Sequence, residues 1–226
     1  MKPRAQLGVA KTGRRRFAAA LRFRGLTRFY DPLARWFISD VRRKRLLVAQ
    51  ASLRDGERVL DLGGGTGTLA LLLLESFPSM RVADVDVDVE MLAQARSKAA
   101  GDPRAWLVAA SGDSLPFRAA AFDRAFSTLA LHHLTHATKQ GALAELRRSL
   151  RQGGWFHLLD FGPPAGALMW LLSQPGRLFD GVAATADNFG GRLPAMIVEA
   201  GFAAPEELAR EASLFGSLVY QRARRP

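Results

Sequence analysis

Residues 58–68 read Arg58-Val59-Leu60-Asp61-Leu62-Gly63-Gly64-Gly65-Thr66-Gly67-Thr68, and this stretch decides the fold. Residues 58–62 form a short, mostly apolar run that reads as a buried strand. The glycines that follow let the backbone turn sharply and let a ligand approach the main chain with no Cβ in the way. Helical text resumes at Thr68 and continues to about Phe77, where Pro78 stops it. The free N–H groups at that helix start add positive dipole character. A dinucleotide loop counted from Gly63 would need a small residue where Thr68 stands, and a Walker loop would need the absent Gly-Lys-Ser/Thr. Asp61, two residues before the first glycine, disfavours a pyrophosphate and favours a ligand that carries an ammonium or sulfonium.

Working outward, strand-like and helix-like segments alternate, the pattern of an α/β domain with a parallel sheet. Residues 81–86 read as a second strand and 89–100 as a helix ended by Gly101. Residues 106–109 and 122–129 give a third and fourth strand. Residues 142–150 form a helix stopped by Gly153-Gly154. Residues 155–161 are a fifth strand. Beyond Asp160, Pro163-Pro164, Pro175-Gly176 and Gly190-Gly191 punctuate an apolar stretch with Met169, Trp170, Leu171 and Leu172. A helix over 193–200 follows, then two segments, near Leu208 and over 215–223, that could pair as a hairpin. Upstream, residues 14–50 read as two amphipathic helices broken at Asp31-Pro32.

Asp86 lies nineteen residues beyond Gly67, at the end of the second strand. A carboxylate there can accept both ribose hydroxyls of an adenosine. Asp84, Asp86 and Asp88 alternate with valine and share one side of the strand, so spacing alone does not choose among them.

Composition narrows the chemistry. The 226 residues suit one sizeable core, and 48% hydrophobic with 23% charged residues excludes a wholly disordered chain. With no cysteine there is no disulfide framework, no thiolate metal site and no cysteine nucleophile; with four histidines and no H-E-x-x-H spacing, no metal site is expected. Cytosine C5 and arsenic methylation, which need thiols, are excluded on the same ground. The net charge of +11 is uneven: residues 1–54 hold 15 Lys/Arg against Asp31 and Asp40, while the remainder is close to neutral. No span reaches the ~18–20 apolar residues that cross a membrane. Arg22, Arg24 and Arg28 break any secretory signal after Arg14-Arg15-Arg16, so a cytoplasmic protein is expected.

The ordered motifs resemble the class I S-adenosylmethionine-dependent methyltransferases, in their ubiquinone/menaquinone-biosynthesis-like branch. They run from Val59–Gly67 through Val85-Asp86 with Met91–Arg96, Gly112-Asp113-Ser114-Leu115-Pro116-Phe117 and Phe122-Asp123. They continue with Leu131-His132-His133-Leu134, Glu145–Gly154 and Asp160-Phe161. The resemblance implies a Rossmann-like, mostly parallel seven-stranded sheet with its last strand antiparallel, helices on both faces and a helical N-terminal extension over 1–50. The methyltransferase domain would be 51–226, with 162–200 as a substrate-side insertion. S-adenosylmethionine would lie across the carboxyl ends of the strands and leave as S-adenosylhomocysteine. Carried over, Asp61 with Gly63, Gly65 and Gly67 borders its methionine part, and Asp86 takes the ribose. Val87 and Met91 flank the adenine, and Asp113, between Gly112 and Ser114, bonds its amino group. Two positions depart from the pattern: Asp84 stands in a place usually small and uncharged, so that Asp86 could share its work, and Gly64, between the first two motif glycines, is expected to be harmless.

Methyl transfer needs a base only if the acceptor must first lose a proton. His132 and His133 follow the fourth strand and are the candidates, although adjacent residues do not easily face one pocket together. His136 and His157 rank lower, the latter as a structural residue within the fifth strand. Tyr30 resembles the family's tyrosine in a lid over the cofactor, and Trp36, Phe37, Trp170 and Phe179 fall in segments that cover the acceptor, though such residues are more often core. The expected acceptor is a small or lipid-like molecule, a quinone or polyketide-like ring before a phospholipid or amine. The alternatives are an RNA methyltransferase recruited by the basic arm and a non-catalytic S-adenosylmethionine-binding protein. Against nucleic acid, Ser127-Thr128-Leu129-Ala130 stands where base-amino methylation favours Asn/Asp-Pro-Pro-Tyr/Phe.

Residues 1–28 carry nine Lys/Arg and no acid, interleaved with Phe17, Leu21, Phe23 and Leu26, a mixture suited to an anionic membrane surface. Each engaged base contributes on the order of 1 kcal/mol. Full-length protein should co-sediment with anionic liposomes and a form starting at Thr27 should not; tight RNA binding with no vesicle binding would contradict this.

Overall fold

Strand β1 (Arg58–Leu62) runs through a seven-stranded sheet in the computed structural model, which describes residues 40–213 and 215–226. Its four residues after Arg58 are all buried, which is why it reads as an unbroken apolar run rather than an alternating one. The other strands are β2 (Arg81–Asp86), β3 (Ala105–Ala109), β4 (Phe122–Thr128), β5 (Leu150–Phe161), β6 (Glu206–Ser213) and β7 (Gly216–Arg224). Their order is β3-β2-β1-β4-β5-β7-β6. Neighbours among β1 to β5 pair in parallel, while β7 is antiparallel to both β5 and β6. The sheet and its antiparallel last strand are those the resemblance implies. The N-terminal helix expected before Asp31, and Tyr30, Trp36, Phe37 and the basic residues 1–28, lie outside the described residues.

Helices cover both faces. Leu47 of α1 (Asp40–Gln50) and Leu69, Leu73 and Leu74 of α2 (Thr68–Ser76) pack with Val59 and Val82 in one core. On the opposite face Leu60, Leu62 and Val85 meet Leu143 and Leu146 of α4 (His136–Ser149) and Met196 and Ile197 of α7 (Leu193–Glu199). Between β2 and β3 lies α3 (Val89–Ala99), capped by Asp88, whose carboxylate accepts from the N–H groups of Glu90 and Met91. Between β5 and α7 the chain forms α5 (Ala167–Asp180) and α6 (Val182–Phe189). No helix among the described residues is long and apolar enough to cross a membrane.

Two boundaries differ from the sequence reading. Helix α4 begins six residues before Ala142, because Thr135 caps it by accepting from the Thr138 N–H and its first turns are polar rather than apolar. Gly153-Gly154 lies inside β5 and does not end a helix. Leu150 already pairs with Phe122, and the register then shifts before Arg124 meets Trp155. A Cβ on Gly154 would stand 2.9 Å from the Arg151 carbonyl oxygen and 3.0 Å from that of Asp123, so the irregular strand needs glycine there.

The end of β7 ties back to this junction. Arg225 exchanges backbone hydrogen bonds with Gly153 and Gly154, and its guanidinium donates to the carbonyls of Arg147, Arg148 and Leu150. It thereby satisfies the open C-terminus of α4 with a cation. Arg225→Ala should lower unfolding free energy by about 1–2 kcal/mol in urea titrations.

Candidate functional site

The site forms where β1, β2 and β4 end. The loop after β1 doubles back so that the N–H groups of Gly63 and Gly64 both donate to the Val85 carbonyl, at 2.8 and 3.3 Å. Gly63, Gly65 and Gly67 have φ of 72°, 61° and 76°, the left-handed region that L residues avoid. A Cβ on Gly63 would come within 2.3 Å of the Ala130 Cβ, so this loop also touches the turn after β4. Around Gly65 nothing lies within 4 Å of an added Cβ, which leaves the loop open on that side.

The three aspartates that spacing could not separate have different positions. Asp86 is half-buried; its Oδ2 accepts the Gly65 N–H at 2.9 Å and its Oδ1 the Asp88 N–H at 2.8 Å. Burial pushes its pKa up and these backbone donors pull it down, with a net shift upward. Asp88 caps α3. Asp84 is fully buried beneath the loop, beside Asp61, its register partner on β1. Gly64 is therefore not a harmless variation: a Cβ there would lie 2.1 Å from Asp84 Oδ1. Among the described residues, none of the four carboxyl oxygens of Asp61 and Asp84 has a hydrogen-bond partner. Burial raises the Asp61 pKa to about 7 and, with repulsion from Asp61 next, the Asp84 pKa to about 8, while Lys44 pulls both down.

The remaining expected cofactor residues gather around Asp86. Met91 is half-buried in the first turn of α3, and Val87 is 53% exposed at the end of β2, an apolar edge free to meet a ring. The loop after β3 carries Gly112, Asp113 and Ser114 and is joined to β2 through the Ala110 N–H, which donates to the Asp86 carbonyl. The Asp113 carboxylate is exposed and accepts from the Ser111 hydroxyl at 2.5 Å. Together the site holds a half-buried carboxylate fixed by two backbone donors, an open glycine cradle, an apolar edge and buried acids with no donor among the described residues.

Past β4 the chain makes a short 3-10 turn over Leu131–His133. Contrary to the expectation for adjacent residues, both imidazoles converge, with ring centroids 4.0 Å apart. His132 is buried; its Nδ1–H donates to Asp160 Oδ1 at 2.7 Å, its backbone N–H donates to the other oxygen, and Phe161 packs edge-on. Asp180, at the end of α5, stands 3.7 Å from His132 Nε2 and 3.5 Å from His133 Nδ1. Burial depresses the His132 pKa, but the charge and hydrogen bond of Asp160 and the charge of Asp180 outweigh it, so the net shift is upward. Burial, His132 and Lys139 drive His133 well below its ordinary value. Donor atoms of His132, His133 and Asp180 all lie within 4.8 Å of one another, a spacing that would also admit a cation.

Asp160 closes the motif series but had no role assigned from sequence, and Asp180 has no signal at all, because α5 brings it in from distant chain. His136 lies apart from the site, with Nδ1 3.1 Å from Asp187. Lys139, fully buried, donates to the Ala184 carbonyl at 2.5 Å and to Asp187 at 3.4 Å, holding α6 against α4. His157 is buried against Phe126 without a polar partner and burial lowers its pKa to about 3, so it remains neutral as a packing residue. Trp170 and Phe179 are 53% and 74% exposed and belong to no core.

The Asp61–Asp84 pair makes stability depend on pH. Groups whose folded pKa exceeds the unfolded value stabilise fully below about 3.8, and that contribution is lost as pH climbs through 7 to 8. The ligand-free protein should therefore melt lower at pH 8.5 than at pH 6 by several degrees. Asp84→Asn should flatten that slope and raise the melting temperature at the higher pH, as scanning calorimetry would show.

A model described as a methyltransferase domain matches residues 59–154. The chain is 38% identical over 125 residues to the ubiquinone/menaquinone biosynthesis C-methyltransferase of Paracoccus denitrificans, a match covering 54% of this chain and 49% of that protein. It is 40% identical over 138 residues to the demethylmenaquinone methyltransferase of Thermus thermophilus, covering 60% and 62%. The chain thus spans about half of the length of the first relative and about three fifths of the second. In fold it is similar to a Haemonchus contortus phosphoethanolamine N-methyltransferase solved with phosphomonomethylethanolamine and S-adenosylhomocysteine, with TM-score 0.67 and 16% identity over 82% of this chain and 52% of that one. In motif order, sheet topology and these matches, the chain is similar to the class I S-adenosylmethionine-dependent methyltransferases, and in sequence to enzymes of quinone biosynthesis among them.

Proposed function

We propose that this protein methylates a small or lipid-like acceptor, first of all a carbon or oxygen of a quinone-like ring, at the mouth between the glycine loop and the turn after β4. The observation that carries the acceptor side is the Asp160–His132 pair. Because Asp160 takes the Nδ1–H, the Nε2 of His132 is the nitrogen left to accept a proton from an enol or phenol. That imidazole is buried, so its orientation is set by packing as well as by the hydrogen bond. The half-exposed His133 and Asp180 would border the acceptor. Leu168, Leu171 and Leu178, each more than 60% exposed, lie on α5, the helix that ends in Asp180. The names of the relatives support a quinone-like ring ahead of a phospholipid or an amine.

On the other side of the mouth, Asp86 would accept the ribose hydroxyls, Asp113 the adenine amino group, and Val87 and Met91 would flank the ring. Bound there, S-adenosylmethionine supplies an already activated methyl group, so the protein's share is orientation, a dry site and, for a hydroxylated acceptor, a base. The basic segment 1–28 would add a peripheral contact with anionic membrane, where a lipid-like acceptor resides.

Asp86→Ala should weaken S-adenosylhomocysteine binding by ~1.5 kcal/mol or more in calorimetry, through loss of a charge-assisted pair of hydrogen bonds. His132→Asn should leave that affinity close to wild type and lower kcat with a quinol acceptor by at least ~10²-fold. Methylation followed by mass spectrometry over a panel of ring, phospholipid and amine acceptors identifies the class; no methyl transfer to any ring compound would refute the quinone-like reading.

A further inference from the structure

The buried pair Asp61 and Asp84 is more than the methionine border that the resemblance assigns to Asp61 alone. The two residues face each other across neighbouring parallel strands, ~4.8 Å apart, and point to the same side of the sheet. Both are fully buried, and among the described residues no donor reaches either carboxyl. Two ionised carboxylates in that position repel each other, with no hydrogen-bond donor among the described residues to offset the repulsion. The charged groups that act on them are Lys44 and Asp40 of α1 and Asp86 of β2. Lys44 is itself bound to Asp40 at 2.9 Å, so one cation serves several anions. The other neighbours of Asp84, the glycine loop and Ala95 of α3, bring no charge. The loop is fitted to Asp84: a Cβ on Gly64 would collide with its Oδ1, and one on Gly67 would stand 3.3 Å from its Oδ2. An acid is thus accommodated directly beneath the main chain that would carry the cationic end of the cofactor.

We propose that Asp84 is a specificity-determining residue: paired with Asp61 it retains one proton while the site is empty and releases it when a sulfonium nucleoside binds, so that the site distinguishes the sulfonium cofactor from its product, whose thioether sulfur carries no charge. On release the carboxyl O–H bond breaks, the proton passes to buffer, and the sulfonium charge takes its place opposite the pair. S-adenosylhomocysteine has the same ammonium but no sulfonium, and its binding calls for less release. The proposal rests on the cofactor site described above.

Calorimetry of the full chain with S-adenosylmethionine and with S-adenosylhomocysteine, near neutral pH in phosphate and in Tris, reads the protons released by each ligand. The sulfonium form should release roughly half a proton or more beyond the thioether. Asp84→Asn should abolish the difference and narrow the preference for the sulfonium form several-fold. Equal release by the two ligands in the wild-type protein would overturn the proposal while leaving the cofactor site intact. Failure of both to bind would instead overturn the site, and the proposal with it. Should Asp84→Asn not fold, the wild-type comparison in two buffers decides alone.

Discussion

The carboxylate of Asp86 joins the loop after β1 to the end of β2. It accepts from Gly65 on one oxygen and from Asp88 on the other, so a single side chain sets the curvature of the glycine loop and the entry into α3. Val85, one residue earlier, takes the N–H groups of Gly63 and Gly64 on its carbonyl. The loop thus hangs from the last two residues of one neighbouring strand. Its own glycines supply the left-handed conformations, and its far side rests on Ala130, beside the histidine turn. The cofactor cradle and the acceptor mouth are in this way mechanically one object.

That construction places negative charge where a soluble domain normally avoids it. Asp61 and Asp84 lie under the loop, and Asp160 and Asp180 meet the histidines on the other side. The two acid pairs differ in kind. Asp160 is compensated by His132 and by backbone donors, so it orients an imidazole. Asp61 and Asp84 have no such partners among the described residues, so their charge is held in check by protonation until something cationic arrives. Unsatisfied buried acids cost stability, and they persist here at a place where a positively charged ligand would offset them.

Much of this was legible in the chain itself. The apolar run 58–62, the glycines after it and the alternation downstream are local patterns, and they correctly indicate the sheet, its parallel pairing and the hairpin of β6 and β7. The start of α4 was not legible, because its first turns carry His136, Lys139 and Gln140, and the signal was the cap at Thr135. Gly153-Gly154 looks like a helix stop and is a strand irregularity, since a close-approaching backbone demands glycine just as a turn does. At the site, alternation grouped Asp84, Asp86 and Asp88 but could not show that one is buried, one ties the loop and one caps a helix. Asp180 was invisible, because its place beside the histidines depends on how α5 packs.

The strand order has a consequence for how the molecule comes into being. β7 lies between β5 and β6, so β6 is synthesised before β7, the strand it pairs with, exists. Until β7 leaves the ribosome, β5 presents an open edge and β6 has nowhere to dock. The parallel half can assemble from contacts already available, but Arg225 supplies the last hydrogen bonds at the end of α4 only after almost all of this sequence has been translated. A nascent chain stalled after β6 would therefore expose two unpaired strand edges, the state in which a chaperone has most to hold and an aggregate most to recruit.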